Sequence, residues 1–161
     1  MIGASTTLPD IVQIRVRASC PTHSRTEILA GSHKVVVDEP AALGGTNLGP
    51  TPVQALLSSW LGCINVILSR IAQANGIPLH GLELECEAVL RTNGVRLERE
   101  VAAPLEKILL RLRTSNALST VQKNALLDQL HQFCPLSTIL RASGAQITED
   151  WDDSASTVAP Q

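Results

Sequence analysis

Residues 51–76 read TPVQALLSSWLGCINVILSRIAQANG, and both ends of this run carry helix-boundary chemistry. Thr51 offers a hydroxyl at the N-cap, Pro52 takes the first helical position, and Gln54 stands where a capping-box partner belongs. At the far end Asn75-Gly76 suits a left-handed cap, and Pro78 prevents the helix from resuming. Between these stops, Gln54, Ser58, Asn65, Ser69 and Gln73 fall close to one narrow polar stripe. Val53, Leu56, Leu57, Trp60, Leu61, Ile64, Val66, Ile67, Leu68 and Ile71 cover most of the remaining circumference. Such a helix belongs in the middle of a fold or an assembly. Cys63 sits near its midpoint. At about 100° per residue its sulfur falls in the apolar sector, far round from the polar stripe.

Outward from that helix, 161 residues suffice for one domain with a substantial core. The domain is expected over residues 1–149, with a loosely held acidic and polar tail over 150–161. Hydrophobic residues make up 44% and charged residues 17%, a globular rather than a disordered composition. A net charge of −2, two Trp, one Phe and no Tyr argue against a basic or base-stacking nucleic-acid surface. The amino terminus, MIGASTTLPD, has neither the basic start nor the apolar run of a secretory signal. Ser, Asn, Arg and Gln interrupt the long helix, so it is not expected to span a membrane. A cytoplasmic protein follows from these features, and four cysteines there are not structural staples.

Taken in order, the chain opens with strand candidates at 11–17 (IVQIRVR), 26–30 and 33–38, the last two flanking Gly31-Ser32 as a hairpin turn. A Gly/Pro-rich loop, EPAALGGTNLGP at 39–50, leads into the helix; its double glycine permits close backbone approach but has no phosphate-loop spacing. Beyond the helix, 81–90 alternates cleanly, with Leu82, Leu84, Cys86, Ala88 and Leu90 on one face and Glu83, Glu85 and Glu87 on the other. Asn93-Gly94 signals a hairpin with a returning strand at 95–101. Another strand reads at 105–113, where Lys107, Arg111 and Arg113 offer a basic face to suit the acidic one. Ser119 or Thr120 caps a second helix with Val121, Ala125, Leu126, Leu130 and Phe133 as its buried stripe. Cys134-Pro135 interrupts it, residues 136–141 resume helically, and 146–148 form a last short strand. Strands, long helix, strands and helix make an α+β fold.

The cysteines are not equivalent. Cys86 faces inward on a regular strand and reads as a small buried hydrophobe, and Cys20 has no pattern around it. Cys134, immediately before a proline, reads as a helix N-cap, where free amides and the helix dipole favour a thiolate. Periodicity gives Cys63 only burial, which by itself makes a thiol inert.

GPTPVQALLSSWLGC at 49–63 and QFCPLSTIL at 132–140, preceded by Asp38-Glu39-Pro40 and Gly44-Gly45, resemble the osmotically inducible protein C / organic hydroperoxide resistance (OsmC/Ohr) family. The resemblance runs to about residue 140 and holds the family's order of loop, helix, strands and Cys-Pro. It implies an OsmC-like α+β fold in which a long central helix packs with antiparallel sheet in an intertwined homodimer. It also implies a thiol peroxidase that reduces organic hydroperoxides without a cofactor or metal. By the resemblance Cys63 is the peroxidatic thiol and Cys134 the resolving one, joined in a disulfide that an external dithiol reduces. The family pairs the attacking thiol with an arginine from the amino-terminal strands, held by a glutamate near the start of the long helix. Arg25 is the candidate here, with Arg15 and Arg17 behind it, and Val53 stands in the glutamate's place. An apolar pocket beside Trp60 would take lipid or small alkyl hydroperoxides.

Two other classes fit parts of the chain. An OsmC-like dimer without peroxidase activity, with a ligand-binding or structural role, suits the missing glutamate. A metal-binding protein could use Cys20-x-x-His23 with His131-x-x-Cys134 as four ligands.

Overall fold

Burial decides which of the strand candidates pair. The computed structural model describes residues 9–152. It falls into two compact units, one ending at Ala55 and the other beginning at Leu56, and the division lies inside a continuous helix, α1 (Pro52–Ala74).

The first unit carries an antiparallel sheet of β1 (Val16–Ser19), β2 (Thr26–Ala30) and β3 (His33–Val37) in that order. Gly31, at φ +62°, makes the left-handed step of the β2–β3 turn, and Ala30 pairs directly with His33. The strand expected over 11–17 is displaced. Val16 already pairs with Ala30, the last residue of β2, so residues 11–15 run past the end of their partner and form no strand. After β3 the loop folds tightly on itself. Asp38 is fully buried and accepts hydrogen bonds from the N–H of Glu39 (2.8 Å), Thr46 (3.1 Å) and Leu48 (3.2 Å) and from the Thr46 hydroxyl (2.5 Å). Gly45 permits this closure, because a Cβ there would stand 1.8 Å from the Glu39 carbonyl oxygen. Thr51 and Gln54 form the expected capping box, the Thr51 N–H donating to Gln54 Oε1 (2.9 Å) and the Gln54 N–H to Thr51 Oγ1 (3.4 Å).

In the second unit α1 buries one row, Trp60, Ile64, Leu68, Ile71 and Ala72, at helical spacing. It ends as expected: Gly76 is left-handed (φ +63°) and the Ile77 N–H reaches back to the Ala72 carbonyl (2.9 Å). By length and mean hydropathy α1 is long and apolar enough to cross a membrane. The second sheet is mixed: β4 (Glu83–Leu90) pairs antiparallel with β5 (Leu105–Arg113), which pairs parallel with β6 (Gln146–Trp151). The opposed charges do meet across the first pair. Glu85 lies opposite Arg111 and Glu83 opposite Arg113, and Arg111 Nη1 reaches Glu87 at 2.6 Å and Glu85 at 3.3 Å. Exposed pairs of this kind fix register more than they stabilise.

The hairpin signalled by Asn93-Gly94 is not formed. The Arg96 and Glu98 N–H groups return to the carbonyls of Thr92 and Asn93, and Leu97 turns left-handed (φ +58°), closing a compact turn in place of a strand. Residues 95–101 leave Val95 and Leu97 exposed, whereas β5 buries Leu105, Ile108, Leu110 and Leu112 and takes β4 as its partner.

The helices that follow are α2 (Thr120–Phe133), opened by a Ser119–Gln122 capping box, and α3 (Pro135–Ala142). On α2 only part of the expected stripe is inside. Leu126 and Leu130 are fully buried, but Val121 and Phe133, at the two ends, are 78% and 60% exposed. The last strand outruns its expected end at Thr148, because Glu149, Asp150 and Trp151 continue the parallel pairing with Leu110, Arg111 and Leu112. The Asp152 N–H then donates to the Leu112 carbonyl (2.9 Å), so the chain expected to be loose from 150 is held through Asp152. Residues 153–161 of that tail lie outside the described residues.

Candidate active site

The break between α2 and α3 is what positions Cys134. Pro135 has no N–H and cannot continue α2, yet its fixed φ starts a new helix, so Cys134 is at once the C-cap of α2 and the N-cap of α3. Its backbone is bonded on both sides: its N–H donates to the Leu130 carbonyl (2.9 Å) and its carbonyl accepts from the Thr138 N–H (3.1 Å). The side chain makes no capping bond. It turns instead to α1, and its Sγ lies 3.4 Å from that of Cys63. Two thiols 71 residues apart in sequence are thus in van der Waals and hydrogen-bond contact.

Their exposures differ. Cys134 is buried, while Cys63 is half-buried and remains accessible on its helix face. Burial pushes the Cys63 thiol above its ordinary value, and the hydrogen bond shared with Cys134 adds to this. A hydrogen bond from the backbone N–H of Leu136 acts the other way. Leu136 is the second residue of α3, so the free amide of that helix terminus is spent on Cys63. An N-cap position for Cys134 would aim the terminus at its own thiol; the fold directs it at the thiol across the helix junction.

One turn away a second contact joins the same two helices. The Trp60 indole N–H donates to Ser137 Oγ at 2.9 Å, and both side chains are fully buried. Trp60 is therefore part of the core and does not itself line an open pocket. Ser137 is the residue that sequence reasoning missed. Its signal was available: Trp60 precedes Cys63 by three positions, Ser137 follows Cys134 by three, and a buried indole needs an acceptor.

A family profile described as OsmC-like protein matches residues 45–150, a span that includes both thiols and most of the chain. The chain belongs to the OsmC-like family. Solved structures agree on the OsmC-like fold. An OsmC-like protein from Mycoplasma pneumoniae aligns at TM-score 0.73 and 20% identity over 88% of this chain and 96% of its own. An organic hydroperoxide resistance protein OsmC from Legionella pneumophila aligns at TM-score 0.68 and 17% identity over 89% and 99%. The organic hydroperoxide resistance protein OhrB of Bacillus subtilis aligns at TM-score 0.63 and 19% identity over 88% and 98%. No curated protein matches the chain.

Elsewhere in this OsmC-like chain the other candidates are placed as follows. Arg25 opens onto β2 in the first unit, its Nε 3.5 Å from the carboxylate of Glu27 and without a hydrogen bond. Arg15 and Arg17 are exposed and border a shallow cleft with Leu29 and Gly31. Cys20 is exposed, with Thr26 Oγ1 3.9 Å from its sulfur. Cys86 faces Leu110 across β4 and β5, and burial, then the nearby Glu87, push its thiol up to about 11. The half-site His131-x-x-Cys134 is pulled apart. His131 Nε2 lies 3.0 Å from Glu149, which Arg141 also grips, while Cys134 faces Cys63. Among the described residues no three His, Cys, Asp or Glu side chains gather as a metal site would require.

Proposed function

We propose that this protein is a thiol peroxidase that reduces organic hydroperoxides through a Cys63–Cys134 disulfide cycle. The observation that carries the reading is the 3.4 Å approach of a half-open thiol to a buried one. The Cys63 thiolate attacks the distal peroxide oxygen, the O–O bond breaks, and the alcohol leaves with a proton while Cys63 becomes a sulfenic acid. The Cys134 thiol then attacks that sulfur, water leaves, and a disulfide closes. An external dithiol returns both sulfurs to the reduced state, itself becoming a disulfide. The names of the Legionella pneumophila and Bacillus subtilis structures, both organic hydroperoxide resistance proteins, support the substrate class.

Burial leaves Cys63 poorly ionised, so attack needs a cation. We assign that role to Arg25, whose guanidinium is braced only weakly by Glu27. A homodimer supplies the setting: α1 leaves Leu56 and Val66 exposed in the single chain, and a second subunit would cover them. A reducing compartment, the cytoplasm, suits four free thiols. The raised Cys63 thiol and Val53 at the family's glutamate position favour one second reading, an OsmC-like dimer that binds without turning over.

Denaturing mass spectrometry after one equivalent of cumene hydroperoxide separates the two. Turnover predicts one cross-linked peptide pair, Cys63 with Cys134, and release of cumyl alcohol. Recovery of both thiols unmodified would leave the binding dimer standing.

A further inference from the structure

Trp60 and Ser137 form a polar contact inside an otherwise apolar core, and its placement is not arbitrary. On α1, Trp60 stands one helical turn before Cys63; on α3, Ser137 stands one turn after Cys134. The indole–hydroxyl bond (2.9 Å) and the thiol pair (3.4 Å) are thus two rungs between the same two helices, at matching spacing. Ser137 and Asp38 are the buried polar side chains among the described residues, and Ser137 alone of the two sits in a helix. A serine in this position has no need to exist for packing, since alanine would fill nearly the same space. What it supplies is an acceptor that fixes the first turn of α3 against α1.

That turn holds both groups on which Cys63 depends: the Cys134 sulfur and the Leu136 N–H. A disulfide requires an S–S distance of about 2.05 Å, so closure from 3.4 Å needs the helix junction to draw in by little more than an ångström. We propose that the Trp60–Ser137 hydrogen bond is a positioning device for the redox couple, holding α3 so that Cys63 and Cys134 interconvert between dithiol and disulfide with only local movement. Trp60 and Ser137 touch neither peroxide nor sulfur in this role; they set the effective concentration of one thiol at the other. The inference rests on reading Cys63 and Cys134 as a redox pair.

The test is the equilibrium of the full-length protein with glutathione, which does not involve peroxide. One glutathione disulfide is reduced to two glutathione thiols as the Cys63 and Cys134 S–H bonds are lost and one S–S bond forms, two electrons and two protons passing to glutathione. Trp60→Phe keeps most of the core volume and deletes the donor; Ser137→Ala deletes the acceptor; Ser137→Thr restores it. Loss of the bond should shift the equilibrium toward dithiol by about tenfold, equivalent to about 30 mV for a two-electron couple. The Trp60→Phe/Ser137→Ala double variant should shift no further than either single one, and Ser137→Thr should recover most of the native value. A contact that only stabilises the fold would lower the melting temperature of both redox forms equally and leave the glutathione equilibrium unmoved. That result would overturn the proposal while the redox pair stood. Failure of the unsubstituted protein to form any Cys63–Cys134 disulfide at any glutathione ratio would overturn both.

Discussion

Asp38 and Cys63 are both acids shielded within their own units, yet their proton affinities move in opposite directions. Four donors converge on the Asp38 carboxylate, led by the Thr46 hydroxyl, and they outweigh burial to bring its pKa down to about 2. Cys63 receives one amide, from Leu136, and burial wins. The lesson is one of saturation. An acid whose charged form is fully hydrogen-bonded is locked and structural, whereas one left short of donors can be switched by a single added charge. Asp38 closes a loop; Cys63 keeps a thiol whose ionisation its surroundings can still move.

Substitutions at these residues put that contrast to the test. Cys63→Ser should reduce hydroperoxide consumption by about 10³-fold or more, because a hydroxyl is far less ionised and less nucleophilic than a thiol. Cys134→Ser should allow one turnover and leave a sulfenic acid that dimedone traps; a disulfide-linked product in that variant would assign resolution to another thiol. Arg25→Ala should raise the pH at which Cys63 is alkylated and slow its oxidation by about 10–100-fold, since removing a cation disfavours the thiolate. An unchanged alkylation profile would remove Arg25 from the mechanism.

Asp38→Asn should act on stability and not on the thiols, turning an amide NH2 toward donors from Thr46 or Leu48 and lowering the melting temperature on the order of 5 °C. The same carboxylate predicts an acid limb. Its folded pKa lies below the unfolded value near 3.9, so its contribution is complete above about pH 4 and is lost as pH falls toward 2. Urea midpoints followed by circular dichroism across that range should flatten in Asp38→Asn. The smallest effect is expected at Cys86. With its thiol pushed up to about 11, it should resist iodoacetamide at pH 8 in the folded protein, and Cys86→Ala should leave peroxide consumption unchanged.

Much of this was legible from local chemistry. The caps of α1, the Gly31-Ser32 turn, the Ser119 cap and the Cys134-Pro135 break depend on a few adjacent residues, and each forms where the residues indicate. Charge alternation on β4 and β5 anticipated their facing, though not their register. What failed was decided at a distance. Residues 95–101 lost their pairing to a more apolar competitor, and residues 11–15 had no partner left to pair with. Val121 and Phe133 have the spacing of a buried stripe, but the stripe extends beyond the surface that α2 has to cover. At the site, the sequence supplied both thiols but not the Leu136 amide on Cys63 or the Ser137 acceptor, since both depend on how α3 docks on α1.

The span of 71 residues between the two thiols has a consequence of its own. Tying together positions so remote removes many arrangements from the denatured chain, by roughly 4 kcal/mol in the loop-entropy picture. Oxidation would then act as a thermal brace, and the heat at which the protein gives way would serve as a thermometer of its redox history.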